Sequence, residues 1–541
     1  MPKKRVSLPA ARFLLPALIA IGGVITAIAW IVSSPAGGSP DDIYHEASIW
    51  CPTPIGDHCQ ITGFINDDPD LPIVQVPAGI AQAACYAFHP DESAACLDVV
   101  SADAVGTTAS IDNGGYPGGY YDIMHIFVSS AGLDAMVLAV RAANALIATL
   151  FFCAIAWLLP WSSKRLLVYT LLGFSIPLVL YVLTSVNPSA WGIIGVVAAW
   201  FALGGLFATK HEPYCQPWRR RALAGLAVAA AILAAMARSD CGTYCVVTVL
   251  AIGAAHLPDL KPSLWRSHRL TWVTMLAVTI IGGIGTFSGS QANNLLGMGD
   301  GPSGWSLLAN NITHLPNLLI GFWTYNLGWF DVPMLPITVV PAMAVGLGLM
   351  FVGLRSISWP KALAAGGVAL VLVVVPLVTL QLGGNVVGEN VQPRYLVPLI
   401  LMLAGILLNR PHDKGARPLS LAQTWVMYVF LVVAHSAALH ELIRRYVVGV
   451  DGPALNLNRA VEWWRAGLPS PMVVWFLGSL GFALLSLLFF VIRRGGRQNR
   501  ILGALDLGTE KNNGADGFGE PPLILLPGQI DPNQGDKHDN N

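Results

Sequence analysis

Charge is what this 541-residue chain has least of. Only 11% of its residues are Asp, Glu, Lys or Arg, about half the fraction of an ordinary soluble domain. The 31 basic and 31 acidic side chains cancel, so there is no basic excess of the kind that grips nucleic acid. The chain has no G-x-x-x-x-G-K-[ST] loop, no H-E-x-x-H and no internal repeat. Those absences argue against an ATP-driven pump and a membrane zinc protease. In place of charge there is apolar surface: 54% of residues are hydrophobic and the mean hydropathy is +0.59. Long uncharged runs recur from residue 13 to residue 492, which excludes a secreted enzyme or a disordered chain. An all-α polytopic membrane protein is expected.

A spanning helix needs about 20 mostly apolar residues. Twelve segments qualify or nearly do: 13–33, 133–158, 165–185, 191–208, 222–237, 243–257, 271–288, 337–354, 362–382, 395–409, 421–440 and 472–492. Three of them, 222–237, 243–257 and 395–409, are short. The N-terminal segment 1–12 carries Lys3, Lys4, Arg5 and Arg12, and the positive-inside rule places it in the cytoplasm. Alternation from there puts 22 of the 31 Lys and Arg at inner ends and six outside. An even span count returns the C-terminus to the cytoplasm. The run 13–33 is too long for a signal peptide core and reads as a retained helix. The tail 493–541, rich in Gly, Asn and Asp, is expected to be disordered. The segment 133–492 forms the multi-span core.

Residues 34–132 form the one large hydrophilic stretch between spans, on the outer side. It contains no Lys or Arg, 13 acidic residues and four cysteines. An even number of cysteines in an extracytoplasmic loop reads as two disulfides among Cys51, Cys59, Cys85 and Cys96. Three pairings exist, and the local one joins Cys51 to Cys59 and Cys85 to Cys96. Zinc is the rival, with His58 and His89 nearby, but there is no C-x2-C spacing. Cys241 and Cys245 read as free core thiols.

The residues that could do chemistry gather at the outer ends of the spans. Ser39-Pro-Asp-Asp-Ile-Tyr-His45-Glu46 directly follows the first span. Asp41 and Asp42 there could deprotonate a hydroxyl or hold a divalent cation such as Mg or Mn against a phosphate. His45 lies on the face of Asp42 if a helix starts here. The plain alternative is an ordinary helix start. Gly114-Gly-Tyr-Pro-Gly-Gly-Tyr-Tyr121-Asp122 offers Tyr120 and Tyr121 to a sugar or lipid, or serves as an interfacial turn. Arg141 lies inside the second span, where a charge is costly. It could meet a phosphate, or snorkel. Arg238 and Asp240 could bind substrate or form a structural ion pair. Gln392-Pro-Arg394-Tyr395 opens a span, so Arg394 and a helix N-terminus face one anion together. His435 and His440 read as buried, bonded side chains. The stretch Gly328–Pro336 could be a re-entrant loop. A transporter tends to put such groups at the midplane, whereas here they lie at one membrane surface.

These motifs carry a family resemblance. Pro40-Asp-Asp-Ile-Tyr-His45 resembles the P-D-E-x-x-H element of the bacterial membrane-protein family DUF2142. In order, Arg141, Ser185-Val-Asn-Pro188, Arg238-Ser-Asp240, Leu327-Gly-Trp-Phe-Asp331 with Pro333 and Pro336, and Gln392-Pro-Arg-Tyr-Leu-Val-Pro398 resemble it too. The likeness runs from about residue 10 to residue 492, with Asp42 where Glu is usual and Pro393 where Gly is common. That family is similar in layout to the GT-C membrane glycosyltransferases. The resemblance implies a bacterial plasma-membrane enzyme with a large first extracytoplasmic loop and a polyprenyl-phosphate sugar donor. It implies a cell-envelope glycan or lipid as acceptor and no nucleic acid partner. Asp41 or Asp42 would be the base, and Arg394, with Arg141 or Arg238, would hold phosphate. A flippase for an envelope lipid or polysaccharide is the main alternative, and a noncatalytic envelope-assembly protein the third.

Overall fold

The computed structural model describes residues 10–82, 85–97, 104–129, 132–209, 216–259, 268–288, 304–389, 391–409, 419–453 and 455–493. The expectation for the tail falls almost wholly outside them. The first apolar run becomes α1 (Ala10–Val32) and is followed by the short α2 (Asp42–Trp50). The bundle continues with α3 (Leu133–Leu158), α4 (Trp161–Gly173), α5 (Pro177–Leu183), α6 (Ser189–Ala208), α7 (Pro217–Ala237) and α8 (Ser239–Ala255). Then come α9 (Arg269–Thr286), α10 (Trp305–Thr324), α11 (Pro336–Leu354) and α12 (Trp359–Leu382). The last are α13 (Val397–Leu408), α14 (Leu421–Val448) and α15 (Pro471–Ser486).

Among the described residues nine helices are long and apolar enough to cross a bilayer. The other three expected spans depart from a simple helix. The run 165–185 is broken between α4 and α5, which meet at 96°. Pro177 takes the first position of α5, where its missing N–H costs nothing, and the residue before it is biased out of the helical region. The expected spans 243–257 and 395–409 are the shorter apolar helices Ser239–Ala255 and Pro393–Leu408. One helix was not expected as an element at all. In α10, Asn310, Asn311, Thr313 and His314 interrupt the apolar pattern.

Packing follows side-chain character. A helix that is apolar all round belongs in a core, and α6 is buried along nearly its whole length. Small residues let α1 and α15 touch. A Cβ on Gly22 would lie 2.6 Å from the Gly481 carbonyl oxygen, so any larger residue forces the two helices apart. The apolar faces of α3, α9 and α12 are left outward, with Leu146, Leu150, Val273, Leu276 and Leu370 exposed, as suits lipid contact.

The hydrophilic segment folds into a small unit. β1 (Ile61–Phe64), β2 (Pro72–Pro77) and β3 (Val105–Thr108) form an antiparallel sheet in that order. β2 alternates buried and half-buried residues and packs Val74 and Val76 with Ile49's neighbours Ala47 and Cys51. The disulfides are Cys51–Cys59 and Cys85–Cys96, the local pairing. Cys241 and Cys245 are buried free thiols.

Candidate functional site

The segment from Ile31 to Pro40 leaves the first span and enters the protein interior. A buried backbone must have its polar groups bonded, and donors from six distant parts of the chain do this. Arg141 Nη1 donates to the Ile31 and Ser34 carbonyls at 3.2 and 2.7 Å, and its Nη2 to Pro35 at 2.8 Å. Tyr86 Oη donates to Ala36 (2.5 Å), Trp329 Nε1 to Gly37 (2.7 Å) and Tyr181 Oη to Gly38 (2.5 Å). Tyr446 Oη also bonds Gly38, Asn187 Nδ2 donates to Pro40 at 3.2 Å, and Arg465 Nη2 donates to Ser34 at 3.0 Å. Two acids of α2 take N–H groups of the same segment. Gly37 donates to Glu46 Oε1 (2.8 Å) and Ser39 to Asp42 Oδ2 (3.1 Å).

This clamp ends at Asp41, which caps α2 in the left-handed region, φ 63° and ψ 5°. Asp and Asn tolerate that region better than most residues. Asp41 and Asp42 therefore point into different surroundings. The Asp41 side chain is 37% exposed and pairs with Arg394 Nη2, while that of Asp42 is 0% exposed and pairs with Arg141 Nη2 at 3.1 Å. Burial raises the Asp41 carboxyl, but the attraction of Arg394, helped by Arg238, outweighs it and holds the group below the usual value. For Asp42 burial wins over Arg141, and the carboxyl is pushed up to about 6.

Arg394 lies in the 3-10 turn Pro393–Leu396 that leads into α13. Its Nη2 also donates to Tyr395 Oη at 3.3 Å. Its Nε and Nη1 are buried without a hydrogen-bond partner. A guanidinium has five N–H donors, so this one retains binding capacity. Arg238 does not. It makes two bonds to Asp240, at 3.0 and 3.1 Å, and its guanidinium lies 4.1 Å from the Tyr395 ring centre and 5.8 Å from that of Tyr116. His45 is enclosed by the rings of Tyr44, Tyr116 and Tyr121, with Nδ1 2.9 Å from Tyr121 Oη. Burial pushes its pKa down to about 3, leaving the ring neutral.

The structure thus brings Asp41, His45, Arg238, Asp240, Arg394 and Tyr395 to one place and buries the other candidates. Arg141 is fully buried and spent on the 31–35 backbone and Asp42. Asp42 is fully buried. Tyr120, buried, accepts from Asn144 Nδ2 at 3.2 Å, and Tyr121 is held by His45. All four side chains are buried and already bonded within the protein. Asp41 and Asp42, the pair considered for a divalent cation, point to different partners. Each faces its own arginine, and among the described residues no three His, Cys, Asp or Glu side chains gather as ligands. The stretch Gly328–Pro336 begins as a tight turn closed by a bridge between Leu327 and Val332. His435 stacks on Phe482 and meets Trp30, and His440 meets Glu441.

Several supports escaped sequence reasoning, among them Tyr86, Tyr181, Tyr446 and Arg465 of the clamp, and Arg445. Arg445 makes two bonds to Asp331, at 2.9 and 2.7 Å, and also bonds the carbonyls of Tyr86, His89 and Glu92. It docks the Cys85–Cys96 loop against α14. The available signal was position: Arg445 is one of the six basic residues that the positive-inside reading puts outside.

A family profile described as "Predicted membrane protein (DUF2142)" matches residues 24–403. The chain belongs to this family. The DUF2142 match includes Asp41, Arg141, Arg238 and Arg394 but stops before Arg445 and Arg465. No curated protein gives a significant sequence match. Two solved structures are similar. One is ArnT from Cupriavidus metallidurans bound to undecaprenyl phosphate, with 16% identity and a TM-score of 0.41, covering 89% of this chain and 78% of that one. The other is the same protein in its apo state, with 15% identity and a TM-score of 0.39, covering 88% and 77%.

Proposed function

We propose that this DUF2142 protein is a membrane glycosyltransferase. It moves a sugar from a polyprenyl-phosphate donor to a cell-envelope glycan or lipid at the outer membrane face. The observation that supports this best is the Asp41–Arg394 pair, a half-open carboxylate against a buried guanidinium with unused donors. Base and anion grip stand side by side, which transport alone does not require.

In the proposed reaction the acceptor hydroxyl attacks the anomeric carbon while Asp41 takes its proton. The bond from that carbon to the phosphate oxygen breaks, and its electron pair leaves with the lipid phosphate. Arg394 stabilises the charge that develops there. A single displacement inverts the anomeric centre. No step needs a metal, so transfer is expected to persist in EDTA. The deciding experiment feeds membranes a labelled polyprenyl-phosphate sugar. Transfer that is lost in Asp41→Asn supports the reading. Movement of the lipid across proteoliposomes without sugar transfer replaces it with a flippase.

A further inference from the structure

We propose that Glu46 is a neutral carboxylic acid whose Oε2–H donates to Asp42 Oδ1, and that this shared proton braces the backbone segment carrying Asp41. Glu46 and Asp42 are one helical turn apart on α2, so their side chains are neighbours. Both are fully buried. Each uses one oxygen on the clamped segment, Glu46 Oε1 for Gly37 N–H and Asp42 Oδ2 for Ser39 N–H and Arg141. Each has its other oxygen buried with no partner, Glu46 Oε2 and Asp42 Oδ1. Two ionised carboxylates one turn apart on a buried helix face repel. One proton between them turns both orphans into a hydrogen bond, and buried polar atoms are rarely left unbonded.

The charges around the pair require the same proton. Asp42 and Glu46 carry two negative charges if ionised, and Arg141 supplies one positive charge. The other groups that act on Glu46 or border it add nothing net. Arg465 is paired with Asp134, and Tyr86 and Tyr181 are neutral donors to the segment. A buried carboxylate without its own counter-charge takes up a proton. Burial first, and then the charge of Asp42, push Glu46 up to about 8.

A raised acid favours the folded arrangement fully below its unfolded value and loses that contribution as pH rises through its folded value. The brace is therefore intact at neutral pH and fails above about pH 8. Only its purpose, holding Asp41, rests on the transferase reading. Its existence is tested without activity.

The test is infrared spectroscopy of the full-length protein in nanodiscs at about pH 7. A protonated carboxyl band is expected that vanishes in Glu46→Gln and, in the unaltered protein, bleaches with a midpoint near pH 8. Glu46→Gln keeps an acceptor for Gly37 and an N–H for Asp42. It is expected to melt no lower than the unaltered protein at neutral pH and to lose the fall in melting temperature that the unaltered protein shows as pH rises from about 4.5 to about 8. Absence of the band, its survival in Glu46→Gln, or a band in the unaltered protein that does not bleach near pH 8 each overturn the proposal. The bleaching of the unaltered protein decides the matter even where the variant does not fold.

Discussion

Asp41 and Arg394 stand 353 positions apart in sequence and meet in one ion pair. The carboxylate is the exposed partner and covers a guanidinium that is almost wholly buried. On the proposed reading, a phosphate taking the free Nε and Nη1 donors of Arg394 would share the guanidinium with Asp41. Donor binding would then loosen the pair and return basicity to Asp41 at the moment a base is needed.

Asp41→Asn separates charge from fold. Asn tolerates the left-handed backbone about as well as Asp, and the clamp on residues 31–40 does not use the Asp41 carboxylate. Transfer is expected to fall about 100-fold or more, the usual scale for a lost general base. The melting temperature is expected to stay near that of the unaltered protein. Retained transfer would remove Asp41 from the mechanism.

Arg394→Lys tests the grip. Lysine keeps the charge but replaces a planar fork with a point charge. Loss of hydrogen bonds to a charged group corresponds to about 1.5–3 kcal/mol, so kcat/KM for the donor is expected to drop roughly 10- to 100-fold by the same scale. An unchanged donor dependence would place phosphate elsewhere.

Much of this was legible in the sequence because it is local. Asp41, Asp42, His45 and Glu46 fall within six residues, and the disulfides close short loops of separation 8 and 11. The apolar runs gave the helices. What could not be read is what depends on long-range contact. Asp41 and Asp42 are adjacent and chemically alike, and only Arg394 and Arg141 give them different surroundings. The partner of Arg445 is 114 positions away. The 96° break between α4 and α5 lies inside a continuous apolar run, so hydropathy passes over it. In α10 the polar residues concealed a helix that other elements stabilise: Asn311 Nδ2 donates to the Asn385 carbonyl at 2.9 Å, and the Val387 N–H donates to Asn311 Oδ1 at 3.0 Å.

Arg141→Met separates support from chemistry. It strips the 31–35 backbone of a donor and leaves Asp42 without its counter-charge. Breaking a buried pair costs about 3–5 kcal/mol. The variant is expected to lose thermal stability before it loses any specific catalytic parameter, in contrast to Arg394→Lys. A stable Arg141→Met protein defective only in donor binding would restore Arg141 to the substrate site.

The two disulfides should differ in consequence. Cys85–Cys96 closes the loop that Arg445 docks and from which Tyr86 reaches the Ala36 carbonyl. Loops of this size contribute about 2–3 kcal/mol. Replacing Cys85 and Cys96 by Ser is expected to cost that stability and to lower transfer. The Cys51 and Cys59 pair, at the far end of α2, is expected to cost similar stability with a smaller loss of transfer. The ratio of activity to folded protein in membranes checks this.

The acid limb of the reaction reports on Asp41 itself. Arg394 holds its carboxyl below the usual value despite burial, so the group stays ionised as pH falls past the value where an ordinary Asp protonates. A depressed acid contributes its stabilisation above the unfolded value and loses it as pH falls through the folded one. Donor-free protein is therefore expected to keep the pair in mild acid. Donor bound to Arg394 weakens that attraction, and the Asp41 pKa rises toward the ordinary range. The acid limb of kcat should then lie at higher pH than that of kcat/KM measured for free enzyme. Coincident limbs would mean that donor phosphate leaves the Asp41–Arg394 pair intact.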